Sequence, residues 1–138
     1  MNYMNAVDTN VLLYVHDPRD PIKQAKATAL IASLTNAALI WQVACEYVAA
    51  SKKLAPLGFR QEDAWRELHR LQTIWQGVLP AWNHLQRAEA LLTTRSVSFW
   101  DALIIGVALE SGITTLYSED LAGLGNFPGL RLVNPFAP

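Results

Sequence analysis

The sequence predicts an α/β fold in which short apolar strands alternate with helices around a parallel sheet. Three observations lead there. Apolar runs at residues 3–7, 38–41, 114–117 and 130–133 are strand-sized and bounded by turn or cap residues. The segments between them place apolar residues at helical spacing. One of those segments, residues 98–112, has eight uncharged residues in a row after Asp101, as expected of a helix buried on nearly all sides.

Taken in order, residues 3–7 form a first strand that stops at Asp8-Thr9-Asn10, three residues that favour turns and helix starts. A short helix over 11–15 follows. Asp17-Pro18-Arg19-Asp20-Pro21 is a loop, and Pro21 suits the first position of a helix over 21–34. Residues 38–41 read as a buried strand, and 42–54 as a helix stopped by Pro56 and Gly58. Ala64, Trp65, Leu68, Leu71 and Trp75 mark the apolar stripe of an amphipathic helix over 60–75. A short strand over 77–80 and a helix over 84–94 come next. Ser98 caps the uncharged helix, with Asp101 at the capping-box position, and Gly112-Ile113 suits a Schellman ending. The last two strands are separated by an Asn126-Phe127-Pro128-Gly129 turn.

With 138 residues the chain fits one domain, residues 1–138, and at this length folding buries roughly two-thirds of the unfolded surface. Eleven basic residues face twelve acids, which excludes a binder that works by bulk positive charge. Cys45 is the only cysteine, so no internal disulfide forms and nothing indicates an oxidising compartment. The start of the chain has no basic leader, and no apolar run approaches the roughly 20 residues of a membrane helix. The expectation is a cytoplasmic protein with no membrane partner.

Four acids fall in unusual places. Asp8 ends the first strand, Glu46 lies in a largely apolar helix, Asp101 opens the most apolar helix, and Asp120 follows the strand over 114–117. Each has an ordinary structural reading. Asp8 caps a helix, Asp101 completes a capping box, Asp120 serves a turn, and Glu46 pairs with an arginine such as Arg95 or Arg131. The alternative is convergence beyond the carboxyl ends of the strands, where open α/β sheets place their sites. Like charges about 5 Å apart repel by roughly 3 kcal/mol per pair at an effective dielectric of 20, so convergence calls for raised pKa values or a cation. An all-oxygen set suits Mg²⁺ or Mn²⁺, and such sites commonly serve phosphate chemistry without a histidine base.

Several stretches resemble the motifs of PIN-domain ribonucleases. Val7-Asp8-Thr9-Asn10-Val11-Leu12 resembles their opening motif, Cys45-Glu46-Tyr47 the second, Ser98-Phe99-Trp100-Asp101-Ala102-Leu103-Ile104 the third and Leu116-Tyr117-Ser118-Glu119-Asp120-Leu121 the fourth. Leu132-Val133-Asn134-Pro135-Phe136 resembles a common ending. In combination they are similar to VapC-type toxins of bacterial toxin–antitoxin pairs. The resemblance implies a PIN-like three-layer α/β/α fold with a short central parallel sheet. It implies Asp8, Glu46, Asp101 and Asp120 as a catalytic quartet around Mg²⁺ or Mn²⁺, with Asp8 and Asp101 the firmest ligands. Thr9, Asn10 and Ser118 would orient carboxylates or water, and Asp120 rather than its neighbour Glu119 matches the family pattern. It further implies an RNA substrate cleaved to 5′-phosphate and 3′-hydroxyl ends, a cognate antitoxin and a homodimer.

The charge balance accommodates RNA, because with the quartet set aside eight acids face eleven bases. Lys52 and Lys53, with Arg60, Arg66 and Arg70, are candidate RNA contacts; the alternative is a solvated face mixed with Glu62, Asp63 and Glu67. Trp41 and Trp100 are expected in the core, and Cys45 as a small buried apolar residue. Two other functions compete with the nuclease. A phosphatase with a nucleophilic aspartate would want an acid two residues after Asp8, where Asn10 stands. A non-catalytic metal-binding module would keep its biological effect after Asp101→Asn.

Overall fold

The computed structural model describes residues 3–138. Met1 and Asn2, the start of the stretch read for a leader, lie outside them. Five strands form one parallel sheet: β1 (Asn5–Val7), β2 (Ala37–Ile40), β3 (Gln76–Val78), β4 (Thr115–Tyr117) and β5 (Arg131–Val133), in the order β3-β2-β1-β4-β5. Six helices flank it, giving the expected three-layer α/β/α arrangement: α1 (Thr9–Tyr14), α2 (Pro21–Ser33), α3 (Trp41–Ala50), α4 (Gln61–Ile74), α5 (Trp82–Thr94) and α6 (Phe99–Glu110). Among the described residues, no helix is long and apolar enough to cross a membrane.

The local signals act as expected at most boundaries. Pro21 opens α2 behind Asp20, whose carboxylate accepts from the Lys23 N–H (3.1 Å). The Schellman ending of α6 forms: Gly112 takes a positive φ of 77°, and the Ile113 N–H donates to Ala108 O at 3.0 Å. Several boundaries differ from the sequence reading: α3 takes in Trp41, read as the end of a strand, β3 is Gln76–Val78 rather than 77–80, and α5 starts at Trp82 rather than residue 84; two further differences have a plain local cause. The first helix begins at Thr9 rather than residue 11, because Asp8 itself caps it. The helix expected over 42–54 ends at Ala50, and residues Ser51–Leu57 tighten into a 3₁₀ segment around Pro56, closed by Gly58 at φ 101°. Proline lacks the N–H that an α-helical turn needs there, and only the left-handed glycine lets the chain turn back.

Between β1 and its neighbours the core is filled by Val11, Ile40, Val43, Tyr47, Ile105 and Leu116. The first turn of α6 is exposed, but Ala102 and the run from Ile104 to Ala108 are buried. At Gly106 the helix meets α5 so closely that a Cβ would lie 3.0 Å from His84 O. The missing side chain is what lets these two helices pair.

The sheet order has a functional consequence. From β1 the chain builds outward through β2 and β3, then crosses to the other side for β4 and β5. The crossover leaves β1 and β4 side by side, paired from Asn5↔Thr115 to Val7↔Tyr117. Their carboxyl ends form the switch point at which open α/β sheets leave a crevice. Asp8 and Ser118 are the first residues past those two ends.

Candidate active site

Asp8 lies just past the end of β1, at the switch point beside β4. Its backbone N–H still donates to Tyr117 O (2.8 Å), which fixes its height against β4. One carboxylate oxygen accepts from the Thr9 N–H (2.8 Å) as the cap of α1, and the other accepts from the Ser118 hydroxyl (2.8 Å). Burial pushes the Asp8 carboxyl above its ordinary value. The bonds from Ser118 and Thr9 pull it back, and the charges of Glu46 and Asp120 add to the rise. The capping role and convergence with other acids are therefore compatible at this residue.

The two residues after Asp8 each reach a different acid. Thr9 donates its hydroxyl to Glu46 Oε2 at 2.9 Å, while Gln42, one turn earlier on α3, donates its amide to Glu46 Oε1 at 2.9 Å. Asn10 donates its amide to Asp120 Oδ2 at 3.2 Å, and its oxygen accepts from the Glu119 N–H at 3.3 Å. Asp-Thr-Asn thus forms a bridge, with Glu46 on one side and Asp120 on the other. Ser118 completes it. This fully buried hydroxyl gives its proton to Asp8 and accepts from the N–H groups of Asp120 (3.2 Å) and Leu121 (3.1 Å).

Glu46 itself is exposed and pairs with Thr9 and Gln42, not with Arg95 or Arg131. Its place in an apolar helix suggested burial, but α3 presents this position to the crevice mouth. Asp101 occupies the first turn of α6, which runs back towards the start of β4 and so opens at the same edge of the sheet. The Ser98 hydroxyl accepts from the Asp101 N–H (3.1 Å). The reciprocal half of the capping box is absent among the described residues, and no hydrogen bond of the described residues links the Asp101 carboxylate to the Asp-Thr-Asn bridge. The carboxylate faces the positive end of the helix dipole, a favourable place for an anion.

Glu119 and Asp120 part company here. Glu119 ion-pairs with Lys23 and accepts from the Tyr14 hydroxyl at 2.8 Å. Burial pushes its carboxyl up, but those two partners outweigh it and hold it below the usual range. Asp120 is the member of the pair tied to Asn10.

No lysine or arginine pairs with Asp8, Glu46, Asp101 or Asp120 among the described residues, whereas Asp17, Glu62, Asp63, Glu67, Glu110 and Glu119 all have one. Among the described residues, no group of three His, Cys, Asp or Glu side chains could hold a metal ion by itself. A small hard cation does not require such a group. Mg²⁺ keeps several waters and is held through one or two carboxylates plus substrate phosphate oxygens. The all-oxygen donors and their uncompensated charge fit such an ion.

Two grooves flank the acids. One, of about 270 Å³, is lined by Asn10, Asp120, Arg19 and Lys53. Lys52 and Lys53 are exposed on the 3₁₀ segment after α3 and make no ion pair among the described residues, whereas Arg60, Arg66 and Arg70 are paired with Glu62, Asp63 and Glu67. The other, of about 350 Å³, is apolar and lined by Trp41, Gln42, Leu79, Trp82, Leu85 and Trp100. Trp41 and Trp100, expected in the core, are 52% and 62% exposed. They sit at the first turns of α3 and α6, at the edge where the acids are. Cys45 is likewise exposed rather than buried.

The model of the PIN domain family matches residues 6–122. The chain belongs to the PIN domain family. That match takes in all four acids and the Asp-Thr-Asn bridge. Solved structures share the fold at low identity. A toxin–antitoxin complex from Klebsiella pneumoniae is 19% identical, with a TM-score of 0.69 over 95% of this chain and 97% of that one. VapC20 from Mycobacterium tuberculosis, described as a toxin that cleaves the sarcin–ricin loop, is 20% identical, with a TM-score of 0.69 over 88% and 95%. VapBC-1 from nontypeable Haemophilus influenzae is 18% identical, with a TM-score of 0.65 over 97% and 99%. A comparison with curated proteins gave no match. In this PIN domain, Gln42 went unnoticed in the sequence, although its spacing of four residues from Glu46 on one helix is the available signal. Lys23 and Tyr14 carry no such signal, being 96 and 105 residues from Glu119.

Proposed function

We propose that this PIN-domain protein is a Mg²⁺- or Mn²⁺-dependent endoribonuclease, acting as the toxin of a toxin–antitoxin pair. The observation that carries the reading is the Asp-Thr-Asn bridge, which links Asp8, Glu46 and Asp120 at the sheet's switch point, where no lysine or arginine of the described residues pairs with them. Asp8 and Asp101 would be the firmest ligands of the ion, with Glu46 and Asp120 completing the set. When bound, such an ion supplies Lewis-acid activation of water and charge stabilisation at a phosphodiester.

The remaining chemistry belongs to the side chains. Ser118 and the Thr9 N–H hold both Asp8 oxygens, so the carboxylate keeps one orientation as charge develops nearby. Thr9 and Gln42 do the same for Glu46, and Asn10 for Asp120. Lys53 and its neighbour Lys52 would neutralise phosphates of the RNA strand as it enters the groove beside Asn10 and Asp120. The apolar groove with its exposed tryptophans suits a protein partner. We assign it to the cognate antitoxin, consistent with structural relatives described as toxin–antitoxin complexes, and expect the chain to form a homodimer.

The test is RNA cleavage by wild type and Asp101→Asn, purified side by side, with Mg²⁺, Mn²⁺ or EDTA. Cleavage that needs both metal and Asp101 and leaves 5′-phosphate ends is the expected result. Equal cleavage by both proteins would expose a contaminating nuclease, and metal binding without cleavage of structured or single-stranded RNA would favour a binding module.

A further inference from the structure

We infer that Lys23, Tyr14 and Glu119 form a clamp whose task is to position Asp120, an inference that rests on the metal-nuclease reading above. The clamp joins four parts of the chain. Glu119 comes from the turn after β4, Tyr14 from the last turn of α1, Lys23 from the first turn of α2, and Phe136 from the C-terminal segment. Lys23 and Tyr14 each take one oxygen of the Glu119 carboxylate. The Lys23 ammonium lies 5.0 Å from the centre of the Tyr14 ring and 5.8 Å from that of Phe136. Those rings meet edge to face at 4.9 Å, and Lys26 donates to Phe136 O. The Lys23 and Glu119 side chains are therefore flanked by aromatic rings and only about a third and a quarter exposed, at 32% and 25%. Partial desolvation strengthens the pair relative to an open surface ion pair.

Its effect on the site follows from chain geometry. Glu119 and Asp120 are consecutive, in a turn with no strand or helix to hold it. On one side the turn is tied by the Ser118 hydroxyl, which accepts from the Asp120 and Leu121 N–H groups. Asn10 reaches it with a longer bond to the Glu119 N–H (3.3 Å) and one to the Asp120 carboxylate (3.2 Å). The clamp is the tie on the other side. With both oxygens of Glu119 occupied, that residue is withheld from the acid group, and its neighbour is left as the one aimed at Asn10. Asp20 is the further acid whose charge Glu119 senses, and it is committed to capping α2.

Lys23→Met, Glu119→Gln and Tyr14→Phe separate the contributions, and Lys23→Arg retains the charge pair. Mn²⁺ binding by the intact protein, measured by calorimetric titration, is read beside kcat and KM for RNA cleavage. Lys23→Met and Glu119→Gln should weaken Mn²⁺ binding and lower kcat by roughly 10-fold each, within the range found for residues that orient metal ligands, with KM changed less than about twofold. Tyr14→Phe, which keeps the ion pair and so guards against a variant that merely unfolds, should show a smaller loss in the same direction, and Lys23→Arg should restore most of it. Wild-type Mn²⁺ affinity and kcat in Lys23→Met and Glu119→Gln would overturn the inference and reduce the clamp to a strut. A wild type that neither binds Mn²⁺ nor cleaves RNA would instead overturn the nuclease reading, and this inference with it.

Discussion

Replacing Ser118 with alanine tests the physical logic of the site most directly. The hydroxyl is fully buried, donates to the Asp8 carboxylate at 2.8 Å, and accepts from two backbone N–H groups. Removing it costs the charge-assisted bond to Asp8, worth about 1.5–3 kcal/mol net. It also strands the buried Leu121 N–H, for roughly 1–3 kcal/mol more, while the Asp120 N–H is open enough to find water. The expected loss is about 2.5–6 kcal/mol, and a chain of this length loses about 3 °C per kcal/mol, so melting should fall by roughly 8–18 °C. The loss should depend on pH. Asp8 already titrates above its ordinary value because it is buried, and the Ser118 bond is one of the forces pulling it down. Without that bond its folded-state pKa rises further. A raised carboxyl contributes stability below its unfolded pKa and loses it as pH rises through the folded value. The gap between wild type and Ser118→Ala should therefore widen from acid towards neutral pH. Thermal melts across that range by circular dichroism are the assay. A drop under about 3 °C, corresponding to about 1 kcal/mol, or a gap that ignores pH, would refute the claim that Ser118 organises the crevice through Asp8.

Two further outcomes follow from the same reasoning. Lys52→Ala with Lys53→Ala should weaken RNA binding and reduce the slope of log affinity against log salt by about 0.7 for each phosphate no longer neutralised, as measured by titration of single-stranded RNA at several salt concentrations; an unchanged slope would remove these lysines from the interface. His16 stacks on Phe59 at 3.7 Å and meets the Tyr47 hydroxyl, and burial holds its pKa below 6.5 against the opposing pull of Glu67 and Asp63. A depressed histidine contributes stability above its unfolded pKa and loses it as pH falls through the folded value, so wild-type melting should drop below about pH 6.5 more steeply than that of His16→Gln; parallel curves would show that His16 is not the group responsible.

What could be read from the sequence was local. Pro21, Ser98, Gly112 and the uncharged run in α6 act within a few residues of themselves, so the elements were predictable in type and order, and with them the placing of Asp8 and Asp120 just past strand ends. The four acids stood out as candidates for the same reason, since each sits in a short motif of its own, but their convergence was implied only by the family resemblance. The exposure of Trp41, Trp100 and Cys45 was not legible, because composition says how apolar a helix is but not which of its turns overhangs a crevice. The division between Glu119 and Asp120 was indicated only by the family resemblance, which favours Asp120, and not by the residues themselves. Two adjacent acids look alike in sequence, and they differ because Lys23 and Tyr14, about a hundred residues earlier, capture one while Asn10 takes the other. The sequence by itself determined which residues carry charge and which elements hold them. Only the tertiary structure decided how those charges are partnered, because a hydrogen bond is set by distance and angle between groups that the fold, and not the chain order, brings together.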